Sequence, residues 1–239
     1  MTAGSVATHS TDALLLRRVE YGEADLVVTL FTQSLGRVAA LARSARKSRR
    51  RFGGALEPFF TLRVRLEEKR SAELFVLAEA TIARPRTRLL ADLGRMQAAG
   101  RALSWVRAAS PPRTPEPEVW AVIEALLDQL ASSDRPAELE LGAAGLTLLA
   151  AFGWGIDFDR CVRCGKACPP QQAASVDAER GGLVCRACGG GRRRLSAEQR
   201  LRLSRANAGD AAALGPEDAG VALELVERVL AAHAGVEPG

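Results

Sequence analysis

The sequence is poor in histidine, in aromatic residues and in long apolar runs. Of its 239 residues only two are histidine, His9 and His233, and neither falls in a motif of nucleophilic or general acid–base catalysis. Gly165-Lys166 lacks the earlier glycine and the following Ser or Thr that a nucleotide-triphosphate cradle needs. No G-x-G-x-x-G opens a helix after a strand, and the 28 carboxylates show no spacing that marks an acid/base pair. The expectation is a binding protein rather than an enzyme. No apolar run reaches the roughly 20 residues needed to cross a bilayer. The opening MTAGSVATHSTDA has no basic segment followed by an apolar one, so it does not read as a secretory leader. The five cysteines all lie between Cys161 and Cys188, and such an odd, local cluster does not look like a secreted disulfide framework. A cytoplasmic protein is expected.

What is present is positive charge, placed unevenly. The net charge is +5 and the pI about 9.3, which calls for an anionic partner without naming it. Seven cations, Arg37, Arg43, Arg46, Lys47, Arg49, Arg50 and Arg51, fall in one stretch, and the next acid is Glu57. Apolar alternation flanks the stretch on both sides, so it reads as a loop between two strands. Such a loop can lie along a phosphate backbone and gain affinity by counterion release. A solvated, flexible hairpin tip is the plain alternative.

Short strands with turn signals fill the first third: Ala13–Val19, Leu26–Thr32, Arg37–Ala42, Phe60–Leu66 and Glu73–Glu79. Residues 1–10 are expected to fray. Five short strands in about seventy residues predict a small closed or partly closed barrel, for which the OB-fold is the familiar five-stranded solution. The basic run then lies between the third and fourth strands. Phe52 beside it is a candidate for stacking on a base, while Phe60, in phase with Leu62 and Val64, reads as core. After Pro85 the spacing turns helical. Ser110–Pro117 reads as a linker, Ala137–Phe152 as a buried central helix, and Ser196 with Gln199 as a capping-box helix start. Trp105, Trp120 and Trp154 read as core. The expected fold is α+β and multidomain: an OB-like barrel over residues 1–83, a helical domain over 84–239, and a cysteine hairpin at 158–191 inserted in it.

Cys161-x-x-Cys164 and Cys185-x-x-Cys188 have the spacing of a four-thiolate zinc site. Gly165 and Gly189 follow the second cysteine of each pair, where a tight turn needs a permissive backbone. A closed tetrathiolate leaves no open position, so the Zn²⁺ is expected to be structural. Its formal charge of minus two can be offset by Arg160, Arg163, Lys166 and Arg186. An iron–sulfur cluster drawing on Cys168 is the competing reading, and Cys168 as a bystander is the plainer one. Arg192-Arg193-Arg194 reads equally as an anion-binding addition or an exposed linker.

The order of these parts resembles the RecO family of bacterial recombination mediators. The carrying segments are Asp12–Gly36 (DALLLRRVEYGEADLVVTLFTQSLG), the basic stretch Leu41–Arg51 leading to Glu57-Pro58-Phe59, Leu148–Cys164 (LLAAFGWGIDFDRCVRC) and Gly181-Gly182-Leu183-Val184-Cys185. The resemblance implies an N-terminal OB-fold and a helical domain that can hold a zinc module at Cys161, Cys164, Cys185 and Cys188. It implies binding of single- and double-stranded DNA, annealing of complementary strands, and a nucleoid-associated place in the cytoplasm. Its implied partners are RecR, the acidic C-terminal tail of single-stranded DNA-binding protein (SSB) and, indirectly, RecA. An SSB tail needs an apolar pocket with a basic rim, which the region Arg84–Arg107 could offer. Arg43 to Arg51 would contact phosphates, with Arg37, Arg63 and Arg65 as extensions. A zinc-ribbon factor that binds RNA or a polymerase is the alternative from another class.

Overall fold

A computed structural model describes residues 7–68 and 73–235, apart from the side chains of Arg49 and Arg50. The barrel is organised by one long strand, β1 (Ala7–Tyr21), which pairs with two others. Its first half runs antiparallel to β4 (Thr61–Glu68), from Ala7 opposite Glu68 to Leu14 opposite Thr61. Its second half runs antiparallel to β2 (Asp25–Thr32), with an irregularity between Leu15 and Arg17 where the partner changes. A bulge of this kind bends a strand and lets one sheet close on itself. β3 (Gly36–Ala42) pairs with β2, β5 (Phe75–Arg84) pairs with β4, and a short parallel contact of β3 with β5 closes the ring in the order β1-β2-β3-β5-β4. This is the expected five-stranded OB-like barrel.

The inward positions follow the period of two: Leu62, Val64 and Leu66 on β4, Val38, Ala40 and Ala42 on β3, and Val28 and Leu30 on β2. Two strand limits differ from expectation. Residues 7–10 are not frayed, because β4 offers them a full ladder of partners. β5 runs on to Arg84, because β4 pairs with it as far as Thr61. A short helix, α1 (Arg49–Phe52), interrupts the basic loop.

The contacts gather the chain as far as Asp92 into one compact unit, together with Ser110–Trp120. That segment, expected as a linker, is fastened to β3. The Arg37 Nε donates to the Ser110 carbonyl at 2.7 Å and the Arg113 amide donates to the Arg37 carbonyl at 2.8 Å. At Gly36, φ is +67° and an added Cβ would meet the Thr114 carbonyl oxygen at 1.9 Å, so the turn and the close approach both need glycine.

The second unit holds α2 (Leu93–Ala109), α4 (Ala137–Ala151), α5 (Ala197–Asn207), α6 (Ala219–Ala234) and most of α3 (Pro117–Ser132). α4 is buried around most of its circumference, as its apolar composition predicts. Gly142 and Gly145 let α6 approach it: an added Cβ would stand 3.1 Å from Ala222 Cβ or 3.0 Å from the Val226 methyls. Ser196 caps α5 by accepting from the Gln199 amide at 3.1 Å. Trp105 and Trp120 are core. Trp154 is only half-buried and stacks on His233, with ring centroids 5.3 Å apart.

Between α4 and α5 lies a small four-stranded sheet in the order β6-β8-β7-β9, formed by β6 (Asp157–Cys161), β7 (Ala174–Asp177), β8 (Gly182–Leu183) and β9 (Arg193–Leu195). β7 and β8 make the expected hairpin, turned by a 3-10 segment (Ala178–Arg180) and a left-handed Gly181. Arg200 ties this sheet to α5. Its buried guanidinium donates to the carbonyls of Phe158, Cys168 and Pro169.

Candidate nucleic-acid interface and metal centre

The basic stretch is a built loop. It leaves β3 at Ala42 and turns at Ser44, whose backbone takes φ +53°. The Asp25 carboxylate accepts the Ser44 amide at 2.7 Å, and the Ala24 carbonyl accepts the Arg46 amide at 3.1 Å. Phe52, Ala55 and Leu56 then fold back into the barrel core. The loop is thus fastened to the β1–β2 turn at one end and to the core at the other.

The seven cations do not act alike. Arg43 and Lys47 are exposed and, among the described residues, have no carboxylate partner. Arg46 is exposed but pairs with Glu20 at 3.2 Å. Arg51 is half-buried and bends back, donating to the Arg43 carbonyl at 2.6 Å, with its guanidinium carbon 5.2 Å from the Phe52 ring centre. The side chains of Arg49 and Arg50 lie outside the described residues. Arg37 stands apart from the loop at the other end of β3, six residues or about 20 Å from Arg43 at strand rise. Its guanidinium is engaged by the Ser110 carbonyl and by the charge of Glu116, whose carboxyl is raised chiefly by burial. Arg63 is paired with Asp12 at 2.6 Å and Arg65 with Glu67 at 3.1 Å.

Phe52 is 2% exposed and cannot stack on a base. Its ring completes the barrel floor under the loop, where a buried aromatic contributes more than an exposed one. Phe60 is core, as its phase with Leu62 and Val64 requires. The exposed aromatic is Tyr21, 60% accessible, at the end of β1. It shares one strand face with Val19 and with the exposed Arg17, which has no acidic partner among the described residues. The sequence hint was the alternation Arg17, Val19, Tyr21. It is hidden because the same segment reads as a buried strand running into a turn. Beneath the loop a cavity of about 450 Å³ is lined by Arg18, Glu20, Arg46, Phe52, Leu56 and Glu57 among others. Its charges are matched within the protein: Arg18 bonds Glu57 at 2.8 Å and Arg46 bonds Glu20. The cavity therefore offers no net charge to an anion.

The four predicted cysteines converge. One sulfur from each of Cys161, Cys164, Cys185 and Cys188 lies within 4.8 Å of the others, and the Cys164 and Cys185 sulfurs are 3.7 Å apart. Metal–sulfur bonds of about 2.3 Å in a tetrahedron put sulfurs roughly 3.8 Å apart, so the set fits one ion. Each knuckle is closed by backbone bonds. Gly165 N donates to the Cys161 carbonyl at 2.8 Å, Cys188 N to the Cys185 carbonyl at 2.9 Å, and Gly165 and Gly189 have φ of +71° and +101°. The Cys185 amide, aimed at the Cys161 sulfur at 3.3 Å, brings that thiol down to about 6. Hydrogen bonding to the Cys185 and Cys164 sulfurs pushes Cys188 up to about 12. Four crowded sulfurs resist ionising together unless a cation shares their charge, which is what a divalent metal supplies. Cys168 stands outside the set, its amide held by the Asp159 carbonyl at 2.8 Å.

No helix among the described residues is long and apolar enough to cross a membrane. Residues 6–86 match the family model for the recombination protein O N-terminal domain, and residues 90–238 the model for its C-terminal domain. A DNA repair protein RecO of Anaeromyxobacter sp. (strain K) is 42% identical over 182 residues, which cover 74% of this chain and 69% of the relative. That of Myxococcus xanthus (strain DK1622) is 37% identical over 186 residues, 76% of this chain and 72% of the relative. That of Geobacter sulfurreducens is 33% identical over 227 residues, 93% of this chain and 91% of the relative. With an OB-like barrel, a helical unit and a four-cysteine cluster in that order, and the two family models matched over most of the chain, the chain belongs to the RecO family of DNA repair proteins.

Proposed function

We propose that the chain is a non-enzymatic mediator of recombinational repair in the cytoplasm, at the nucleoid. It binds single- and double-stranded DNA, anneals complementary strands and, with RecR, helps RecA load on strands coated by SSB, whose acidic tail it engages. The observation that carries the DNA-binding step is the fastened loop that holds Arg43 and Lys47 in solvent with no carboxylate partner among the described residues. A cation without an internal partner is free to displace condensed counterions from a phosphate backbone, and this displacement drives sequence-independent binding. Tyr21, exposed on a neighbouring strand face with Arg17, supplies a flat surface for an unstacked base. No covalent step is required: holding phosphates and bases close, and competing with SSB, is binding work. Zinc is the metal we assign to the four thiolates, because a closed Cys₄ tetrahedron is its structural site.

The test is fluorescence anisotropy of a labelled single-stranded oligonucleotide across a salt series, with the wild type and an Arg43→Glu/Lys47→Glu variant. Two lost phosphate contacts lower the slope of log affinity against log salt by about 1.4. An unchanged slope removes the loop from the interface. Strand annealing, and binding of an SSB tail peptide, then separate a repair mediator from a general nucleic-acid binder.

A further inference from the structure

Three side chains of the cysteine module converge on one cleft. Lys166, beyond the first knuckle, Arg186, inside the second, and Arg194, on β9, line a cavity of about 390 Å³ together with Gln172, Ser175 and Cys168. No carboxylate lines it. The three cations are exposed and, among the described residues, none has an acidic partner. Three acids of the module are engaged elsewhere. Asp177 holds Arg180 at 2.7 Å, Glu179 holds Arg192 at 3.2 Å, and Asp157 accepts the amides of Asp159 and Arg160. The triple-arginine run thereby resolves into two roles. Arg192 and Arg193 are paired, Arg193 with Glu224 at 3.1 Å, and Arg194 alone is left to the cleft.

This arrangement is the reverse of the cavity under the barrel loop, where each cation has its acid. Cys161 and Cys185 also line the cleft, so part of its positive charge offsets the tetrathiolate. With a dication bound, the thiolates carry a formal charge of minus two, which three cations exceed. Gln172 and Ser175 add neutral donors of the kind that hold phosphate oxygens.

We infer that this cleft is a second phosphate-binding site, on the metal module and separate from the barrel loop, which takes phosphodiester groups of a nucleic-acid strand. The inference rests on the nucleic-acid-binding function proposed above. On this reading the metal holds two knuckles and a hairpin in the arrangement that brings Lys166, Arg186 and Arg194 to one place. Metal is then needed for this part of the binding surface and not for the barrel loop.

The experiment uses the full-length, metal-loaded chain and the same labelled single-stranded oligonucleotide. Lys166→Gln/Arg186→Gln/Arg194→Gln is compared with the wild type and with Arg43→Glu/Lys47→Glu, and bound metal is measured in each. Loss of three single-strand phosphate contacts lowers the salt slope by about 2 while metal stays stoichiometric. Arg194→Gln alone, six residues beyond Cys188 and clear of both knuckles, lowers it by about 0.7 and keeps the proposal testable if the triple variant loses metal. A wild-type slope in Arg194→Gln and in the metal-loaded triple variant overturns the site, and shows the three cations to be counterions of the thiolates. If the barrel-loop variant alone lowers the slope, the DNA-binding function stands and the cleft falls. If the wild type shows no salt-dependent binding, both fall.

Discussion

Arg46 shows why a count of cations overstates the charge a partner meets. It lies at the centre of the basic stretch, yet Glu20 of β1 stands 3.2 Å away, and an exposed pair of this kind contributes at most about 1 kcal/mol to the fold. What the pair changes is the field: Arg43 and Lys47 keep their charge for solvent while Arg46 shares its own. Phe52 belongs to stability instead. Phe52→Ala should cost about 3–5 kcal/mol in urea unfolding, because it empties a filled position in the barrel floor; a loss under about 1 kcal/mol would contradict its burial. Asp218 is a second stabilising residue. Burial alone would raise its carboxyl, but Arg202, bonded to it at 2.6 and 2.9 Å, and the Gly215 amide at 3.0 Å hold it below the usual carboxylate range. A carboxyl depressed in the folded state stabilises fully above its unfolded value of about 3.9, and that stabilisation is lost as pH falls through the lower folded value. Urea unfolding of Asp218→Asn from about pH 6 to pH 3 should therefore show a shallower acid loss than the wild type. Equal slopes would mean that the pair does not couple to folding.

At the scale of elements, packing at single positions decides which neighbours a helix can have. A Cβ added at Gly145 of α4 would stand 3.0 Å from the Val226 methyls of α6 and 3.2 Å from the Trp105 ring. Gly145→Val should cost about 1–3 kcal/mol by overpacking, read as a fall in unfolding midpoint with little change in oligonucleotide affinity. An unaffected midpoint would mean that the two helices part without cost. The helix itself was legible from the sequence, since Leu139, Leu141, Leu146, Leu148 and Leu149 leave no polar face wide enough for solvent. Its partner was not, because a glycine announces a close approach without saying by what. The strands were legible in the same partial way. Alternation of Leu62, Val64 and Leu66 marks β4, but the extension of β1 back to Ala7 depends on β4 being beside it. Thr8, His9 and Ser10 have no pattern that predicts this.

For the whole molecule, two compact units each carry an apolar core of their own, and a metal held by the four cysteines, as proposed above, would add its binding energy to the small core of the cysteine module. Cys161→Ser and Cys185→Ser should both lose stoichiometric metal. Hydrogen exchange should then show collapse of protection in residues 157–195, with β1–β5 of the barrel still protected. Full metal occupancy in either variant would rule out this ligand set. Loss of protection throughout the barrel would mean that the metal supports more than its own module.

The sequence by itself determined the parts whose signal is local. The Cys-x-x-Cys spacings with Gly165 and Gly189, the alternating strands, the cap at Ser196 and the basic run each report a backbone geometry or a charge density within a few residues. Tertiary structure alone decided which of those charges remain. It spends Arg37 on the Ser110 carbonyl, Arg46 on Glu20 and Arg192 and Arg193 on acids 13 and 31 residues away in sequence, and it leaves Arg43, Lys47, Lys166, Arg186 and Arg194 without an acidic partner among the described residues. The physical reason is that a cation's field depends on which carboxylate folding brings within about 4 Å, and that distance is a property of the fold rather than of any stretch of chain.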